Sequence, residues 1–244
     1  MRRIGAAIAV VFTVFLYTGA QAASFADWGA IVVAGDHKAH DGSDSEVFDN
    51  ARRDISSDLL RLGFNPLNID QFSTMPDRYS PRPMHSDLQT ISNALWDLSN
   101  RAKSGCFVYI TSHGSPDGVV VNDNIATPAQ ISNAVNNACG SVPTVVFVSA
   151  CFSGVFVPAL KGDNRFVMTA ARPDRTSFGC GQADRYTYFD QCFLESFPGS
   201  HDFPGLASAV TACVAAREKK EDMSPPSEPQ TSIGATAQAG LPHW

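Results

Sequence analysis

The chain predicts an α/β fold, a mostly parallel central sheet with helices on both faces. Three observations carry that prediction. Nearly unbroken apolar runs at 28–34, 106–111 and 145–149 have the composition of parallel strands buried on both sides. Stretches with apolar residues at helical spacing lie between them. Each such stretch has the length of a βαβ crossover, and strand, helix, strand in this order stacks helices on a parallel sheet.

The elements follow in order. Trp-Gly-Ala-Ile-Val-Val-Ala at 28–34 is the first strand and stops at Gly35. Val47, Ala51, Ile55, Leu59 and Leu62 recur at helical spacing, and Gly63 ends that helix. A second strand is expected over 67–72, and the proline-rich 75–83 is expected to be a surface loop. Leu88, Ile91, Leu95 and Leu98 mark the next helix, and 106–111 is the strand that leads into Ser112-His113-Gly114. After a small β extension at 119–121, Thr127 and Pro128 open a helix running to about 138. Strands are expected at 145–149 and 166–169, and helices at 188–197 and 203–220. From 223 onward, prolines and small polar residues predict an extended tail.

Arg2 and Arg3, the uncharged apolar run 4–17 and Ala20-Gln21-Ala22 read as a signal peptide over residues 1–22. One domain is expected over 23–222, a tail over 223–244, and the location is periplasmic or secreted, with no membrane association after cleavage. The formal charge is −6, and loss of Arg2 and Arg3 with the leader would make it −8. An acidic chain without a basic run argues against nucleic acid as a partner. Its length gives no oligomeric state.

Two strand patterns end in a reactive residue close to a glycine: His113-Gly114, and Cys151-Phe152-Ser153-Gly154. One helix separates them, so the strands should lie parallel and close, with both residues outside their carboxyl ends, where open α/β sheets place ligands. A cysteine and histidine there suit acyl transfer: the thiolate attacks a carbonyl and the histidine protonates the leaving amine. A short helix over 153–160 would present its amino end to the thiolate. The N–H groups of Gly114 and Cys151 are the candidate oxyanion hole. Asp117 is near enough in sequence to orient His113, but is not favoured. The loop 36–44 holds two histidines among acids yet meets no metal-ligand spacing, so it reads as a polar rim and no metal is expected. Arg172 and Arg175 read as salt-bridge formers.

These residues resemble the legumain-type peptidases, family C13 of the caspase clan, and within it an exported bacterial caspase-like branch. The likeness runs from about 28 to 197. It includes Phe48-Asp49-Asn50-Ala51, the stretch 169–180 and Thr187-Tyr188-Phe189, although the caspase Q-A-C-x-G signature is not present. The resemblance implies a caspase-like three-layer sandwich and endopeptidase activity on peptide or protein substrates through a Cys151/His113 dyad, without metal or organic cofactor. Alternatives are a non-catalytic binding protein on the same fold, and a transpeptidase using the same dyad, since family members include transamidases.

The legumain Arg-His pair of the pocket for the residue before the scissile bond (P1) has no counterpart; Glu46 falls near the arginine's place. Ser177 matches a pocket serine, and Asp190 lies close to a family acid. Glu46 and Asp190 motivate a preference for a basic P1 residue, and Asp44 is placed at the rim, where it might contact substrate or orient His113. Of six cysteines, Cys106 and Cys139 both fall at the amino-end side of the sheet and could bridge there. Cys192 and Cys213 could form a second bond. Cys180 would then be free near the cleft, or pair with Cys192 instead.

Overall fold

The structure, a computed structural model, describes residues 24–244; the signal peptide expected over 1–22 lies outside the described residues. The elements in chain order are β1 (Trp28–Ala34), α1 (Val47–Leu62), β2 (Ile69–Ser73), β3 (Met84–His85), α2 (Leu88–Arg101) and β4 (Gly105–Thr111). Then come β5 (Gly114–Ser115), β6 (Gly118–Val121), β7 (Asn124–Ala126), α3 (Pro128–Cys139), β8 (Thr144–Ser149), α4 (Val157–Leu160) and β9 (Arg165–Thr169). The chain closes with α5 (Tyr188–Ser196), α6 (Phe203–Lys220), β10 (Gln230–Ile233) and α7 (Ala235–Gly240).

Seven strands form one sheet in the order β10-β9-β8-β4-β1-β2-β3. Every neighbouring pair is parallel except β9 and β10. A separate antiparallel hairpin sheet, β5-β6-β7, stands beyond the end of β4. Strand side chains alternate between two cores, as period-2 geometry requires. Ala30, Val32, Phe107, Tyr109, Phe147 and Met168 face α1, α5 and α6, whereas Ile31, Val33, Val108, Ile110, Val146 and Val148 face α2, α3 and α4. The result is the expected three-layer α/β sandwich. The first core is aromatic: Phe147 lies 5.7 Å from Phe107, 5.5 Å from Tyr109 and 5.0 Å from Phe193, ring centre to ring centre. Each such buried ring contributes roughly 1.5–3 kcal/mol.

Local chemistry sets the helix ends. Gly63 adopts a left-handed conformation (φ 101°), and its N–H returns to Leu59 O and Leu60 O to stop α1. Asp87 and Asp202 cap α2 and α6 through their carboxylates, and Thr127 with Gln130 forms a reciprocal capping box at α3. Disulfides join Cys106 to Cys139 and Cys192 to Cys213, while Cys151 and Cys180 remain thiols. The alternative pairing of Cys180 with Cys192 is not adopted.

Two expectations need correction. The second strand begins at Ile69, because Asn65 and Pro66 first make a capped 3-10 turn over Pro66–Asn68. Residues 223–244 are no extended tail. Gln230–Ile233 pairs antiparallel with β9, covering a sheet edge that would otherwise be bare, and α7 follows. Ala237 and Leu241 are buried, and Trp244 packs against Phe203 and Phe197 at 5.0 and 5.7 Å.

Candidate active site

Parallel pairing of β4 with β8 places Thr111 beside Ser149. Ser112 N–H then donates to Ser149 O at 3.0 Å, extending the register past the strand ends. His113 and Cys151 each follow two residues after that matched pair, so neighbouring strands deliver them to the same edge of the sheet.

His113 is half-buried, with its ring edge-on to Phe48 at 5.1 Å. Its Nε2 lies 2.9 Å from Lys38 O. A carbonyl only accepts, so Nε2 carries the proton and Nδ1 is left as the basic nitrogen. The Cys151 Sγ accepts the Ser177 N–H at 3.3 Å and lies 3.5 Å from Ser177 O and 3.7 Å from Ser177 Oγ. Hydrogen bonding to sulfur strengthens when it is charged. The turn behind the cysteine is held by Phe152, left-handed at φ 57°, whose N–H donates to Arg175 O at 2.7 Å. The helix expected over 153–160 is a 3-10 turn followed by the four-residue α4, too short to carry a substantial dipole.

Gly114 is where backbone meets backbone. A Cβ built on it would stand 2.3 Å from Cys151 O and 3.0 Å from Ala150 Cβ, so any side chain would push these two loops apart. Gly114 sits opposite Val119, and the flanking bond runs from Val120 N–H to His113 O at 2.9 Å. In an antiparallel ladder this makes Gly114 a non-hydrogen-bonded position, which leaves its N–H outside the ladder.

The remaining predicted residues fall in different places. Asp44 does not touch His113. Its carboxylate binds Lys38 Nζ at 2.6 Å and Arg78 Nη2 at 2.9 Å, and these two cations hold its carboxyl down at about 2. Because Asp44 also forms an antiparallel bridge with Lys38, it pins the segment whose carbonyl meets His113. Glu46 is exposed at the start of α1. Ser177 lines Cys151 as described. Asp190, expected in the substrate pocket, is instead wholly buried: its oxygens accept from Tyr109 OH at 2.8 Å and Thr111 Oγ1 at 2.6 Å. Burial pushes its carboxyl above the usual carboxylate range, with the hydroxyl donors opposing. Its place in the first turn of α5 turns it under the sheet, because Thr187 caps that helix through the Asp190 N–H.

Asp117 is exposed in the β5–β6 turn, its N–H bonded to Ser115 Oγ. His37 bonds Thr74 Oγ1 and the His40 N–H bonds Cys180 O, and among the described residues no three His, Cys, Asp or Glu side chains converge as a metal site. Arg172 and Arg175 both pair with Asp174, and Arg172 also with Glu228. Two participants went unread in the sequence. The Lys38 carbonyl has no side-chain signature at all. Phe48 belongs to a small cluster with Ala34 and Val47, against which Cys180 packs; burial, the Cys151 sulfur and Asp184 push the Cys180 thiol up to about 11.

This arrangement can be set beside known proteins. The model of the peptidase C13 family matches residues 87–211, just over half of the 244-residue chain. The chain belongs to the peptidase C13 family. That match includes His113, Gly114, Cys151, Ser177 and Asp190. Among solved structures, the crystal structure of caspase-1 from Spodoptera frugiperda is similar, with a TM-score of 0.62 and 14% sequence identity over 87% of this chain and 88% of that one. At that identity the likeness establishes the caspase-like fold. No curated protein matches the sequence significantly. Family and fold together place this C13 protein among the cysteine peptidases, acting on peptide or protein substrates.

Proposed function

We propose that this C13 protein is an exported endopeptidase using Cys151 as nucleophile and His113 as acid and base. The observation that carries the reading is the matched placement of the two residues beyond Thr111 and Ser149, with His113 Nε2 tied to Lys38 O and Nδ1 left basic. Cys151 Sγ adds to the scissile carbonyl carbon as His113 takes the thiol proton. The N–H groups of Gly114 and Cys151 stabilise the oxyanion, and Ser177 N–H supports the charged sulfur beforehand. Collapse expels the amine, which receives its proton from His113. Water then hydrolyses the thioester.

With Asp190 buried and Asp44 neutralised by Lys38 and Arg78, Glu46 is the acid that remains to favour a basic P1 residue. Export is supported by the leader-like residues 1–22 and by two disulfides, which persist in oxidising compartments. The test is cleavage of a fluorogenic peptide library, varied at P1, by the chain lacking residues 1–22 and by its Cys151→Ala and His113→Ala variants. Cleavage after Lys or Arg, lost in both variants, is expected. Cleavage that survives Cys151→Ala removes the assignment, and cleavage only after Asn or Asp removes the basic preference.

A further inference from the structure

Away from Cys151, two adjoining cavities of about 440 Å³ each share Arg52, Ser56, Leu60, Gln71 and Pro81 in their walls. One follows the outer edge of β2. That edge is open because β3 pairs only with Phe72 and Ser73, and Pro81 and Pro83 offer no N–H to continue the ladder. The other lies beside Tyr79 and Arg53.

Arg52 is the unusual member. Its side chain is only 3% exposed. Nε donates to Asp49 Oδ1 at 2.7 Å and Nη1 to Gln71 Oε1 at 2.6 Å, but Nη2, also buried, has no partner among the described residues. A stranded charged donor costs about 1–3 kcal/mol or more, so a built structure that keeps one invites a ligand for it. The Tyr79 ring lies 4.9 Å from the Arg52 guanidinium carbon and 5.5 Å from that of Arg53, which bonds the Asn50 amide oxygen rather than a carboxylate. Only Arg52 pairs with an acid, Asp49, whose other oxygen is taken by Ser73 Oγ. Arg78 shares Asp44 with Lys38, Arg82 pairs with Asp77, Asp70 in the wall of the first cavity pairs with Arg101, and Glu46 stands near Arg78 and Tyr79. Arg53 thus has no carboxylate partner among the described residues, in a chain of net charge −6.

We propose that the groove is a carboxylate-binding site, independent of the peptidase reading. A carboxylate accepts from Arg52 Nη2 and neutralises Arg53 once the Tyr79 ring slides aside, and its apolar part lies along Leu60 and Pro81. A wall that holds Leu60, Pro81 and the Asp70 carboxylate suits a monoanionic carboxylate better than a phosphate dianion. The carboxylate could belong to a peptide or to a free small acid, and the experiment separates these. Arginine side-chain NMR of the chain lacking residues 1–22 would be followed during titration with N-acetylaspartate amide, with acetyl-Gly-Ser-Glu-Ser-Gly-amide and with inorganic phosphate. Saturable shifts of the Arg52 signals are expected with a carboxylate probe, weakened about tenfold or more in Arg52→Lys and several-fold in Arg53→Gln. Binding of the peptide alone makes the site a peptide exosite; binding of both admits free acids. The proposal is overturned if neither probe shifts Arg52 saturably, if phosphate binds more tightly, or if Arg53→Gln binds like wild type. Should Arg52→Lys fail to fold, the wild-type titration and Arg53→Gln decide alone.

Discussion

Asp190 offers the most demanding test of the site's architecture. It is wholly buried, and its hydrogen-bond partners Tyr109 and Thr111 are neutral. Burial therefore dominates and its folded pKa is raised. In the unfolded chain it titrates near the ordinary Asp value, about 3.9. Below that pH both states hold the proton, and the stability that the neutral carboxyl contributes is fully present. Between the unfolded and folded pKa values only the unfolded state loses the proton, so stability falls by up to about 1.4 kcal/mol for each pH unit. Asp190→Asn removes the titration while keeping the shape. Urea unfolding of wild type and Asp190→Asn, disulfides intact, at half-unit steps from pH 4 upward isolates the effect as a difference, since all other groups cancel. Wild type should lose ground to the variant as pH rises through that window. Asp190→Ala should be worse at every pH, stranding two buried hydroxyls at about 1–3 kcal/mol each. A difference that is flat, or that grows in favour of wild type as pH rises, would falsify the account of a carboxyl whose pKa is raised by burial.

Other predictions follow from single contacts. Gly114→Ala would place Cβ 2.3 Å from Cys151 O, a backbone atom with no freedom to retreat; turnover should drop about a hundredfold, with stability lower by about 1–3 kcal/mol in urea titration. Replacing both Cys106 and Cys139 by serine opens a loop with a sequence separation of 33 and should cost about 3–4 kcal/mol, read by the same titration. Glu46→Gln should leave the fold unchanged and reduce cleavage after Lys and Arg relative to neutral residues; an unchanged P1 profile would exclude Glu46 from the pocket.

The legible parts of the fold were those where one side-chain class must persist along an element. β1, β4 and β8 are buried on both faces, so their apolar runs stand out, and the residues that end β4 and β8 stood out with them. β10 was invisible because an edge strand beside solvent tolerates Gln230, Thr231 and Ser232, which read as a tail. The Cys106–Cys139 bond could be anticipated because the strand and helix that carry it follow from topology, whereas Cys192 was left between Cys213 and Cys180. Asp190 was misjudged for a different reason. The family resemblance placed it in the substrate pocket, but the Thr187 cap rotates its side chain beneath the sheet. Lys38 contributes only a peptide oxygen, and main-chain acceptors have no letter in the sequence.

Trp244 and Phe25 come from opposite ends of the described chain, yet their rings stand 6.0 Å apart over the same aromatic core that holds Phe203. The sheet holds a strand as early as Trp28–Ala34, while one of its borders, Gln230–Ile233, and part of the aromatic floor come from the far end of the described chain. That floor is therefore incomplete until Trp244 is in place. Until then Phe197 and Phe203 lack their closing partner. Trimming a few residues from the carboxyl end would act like a core deletion.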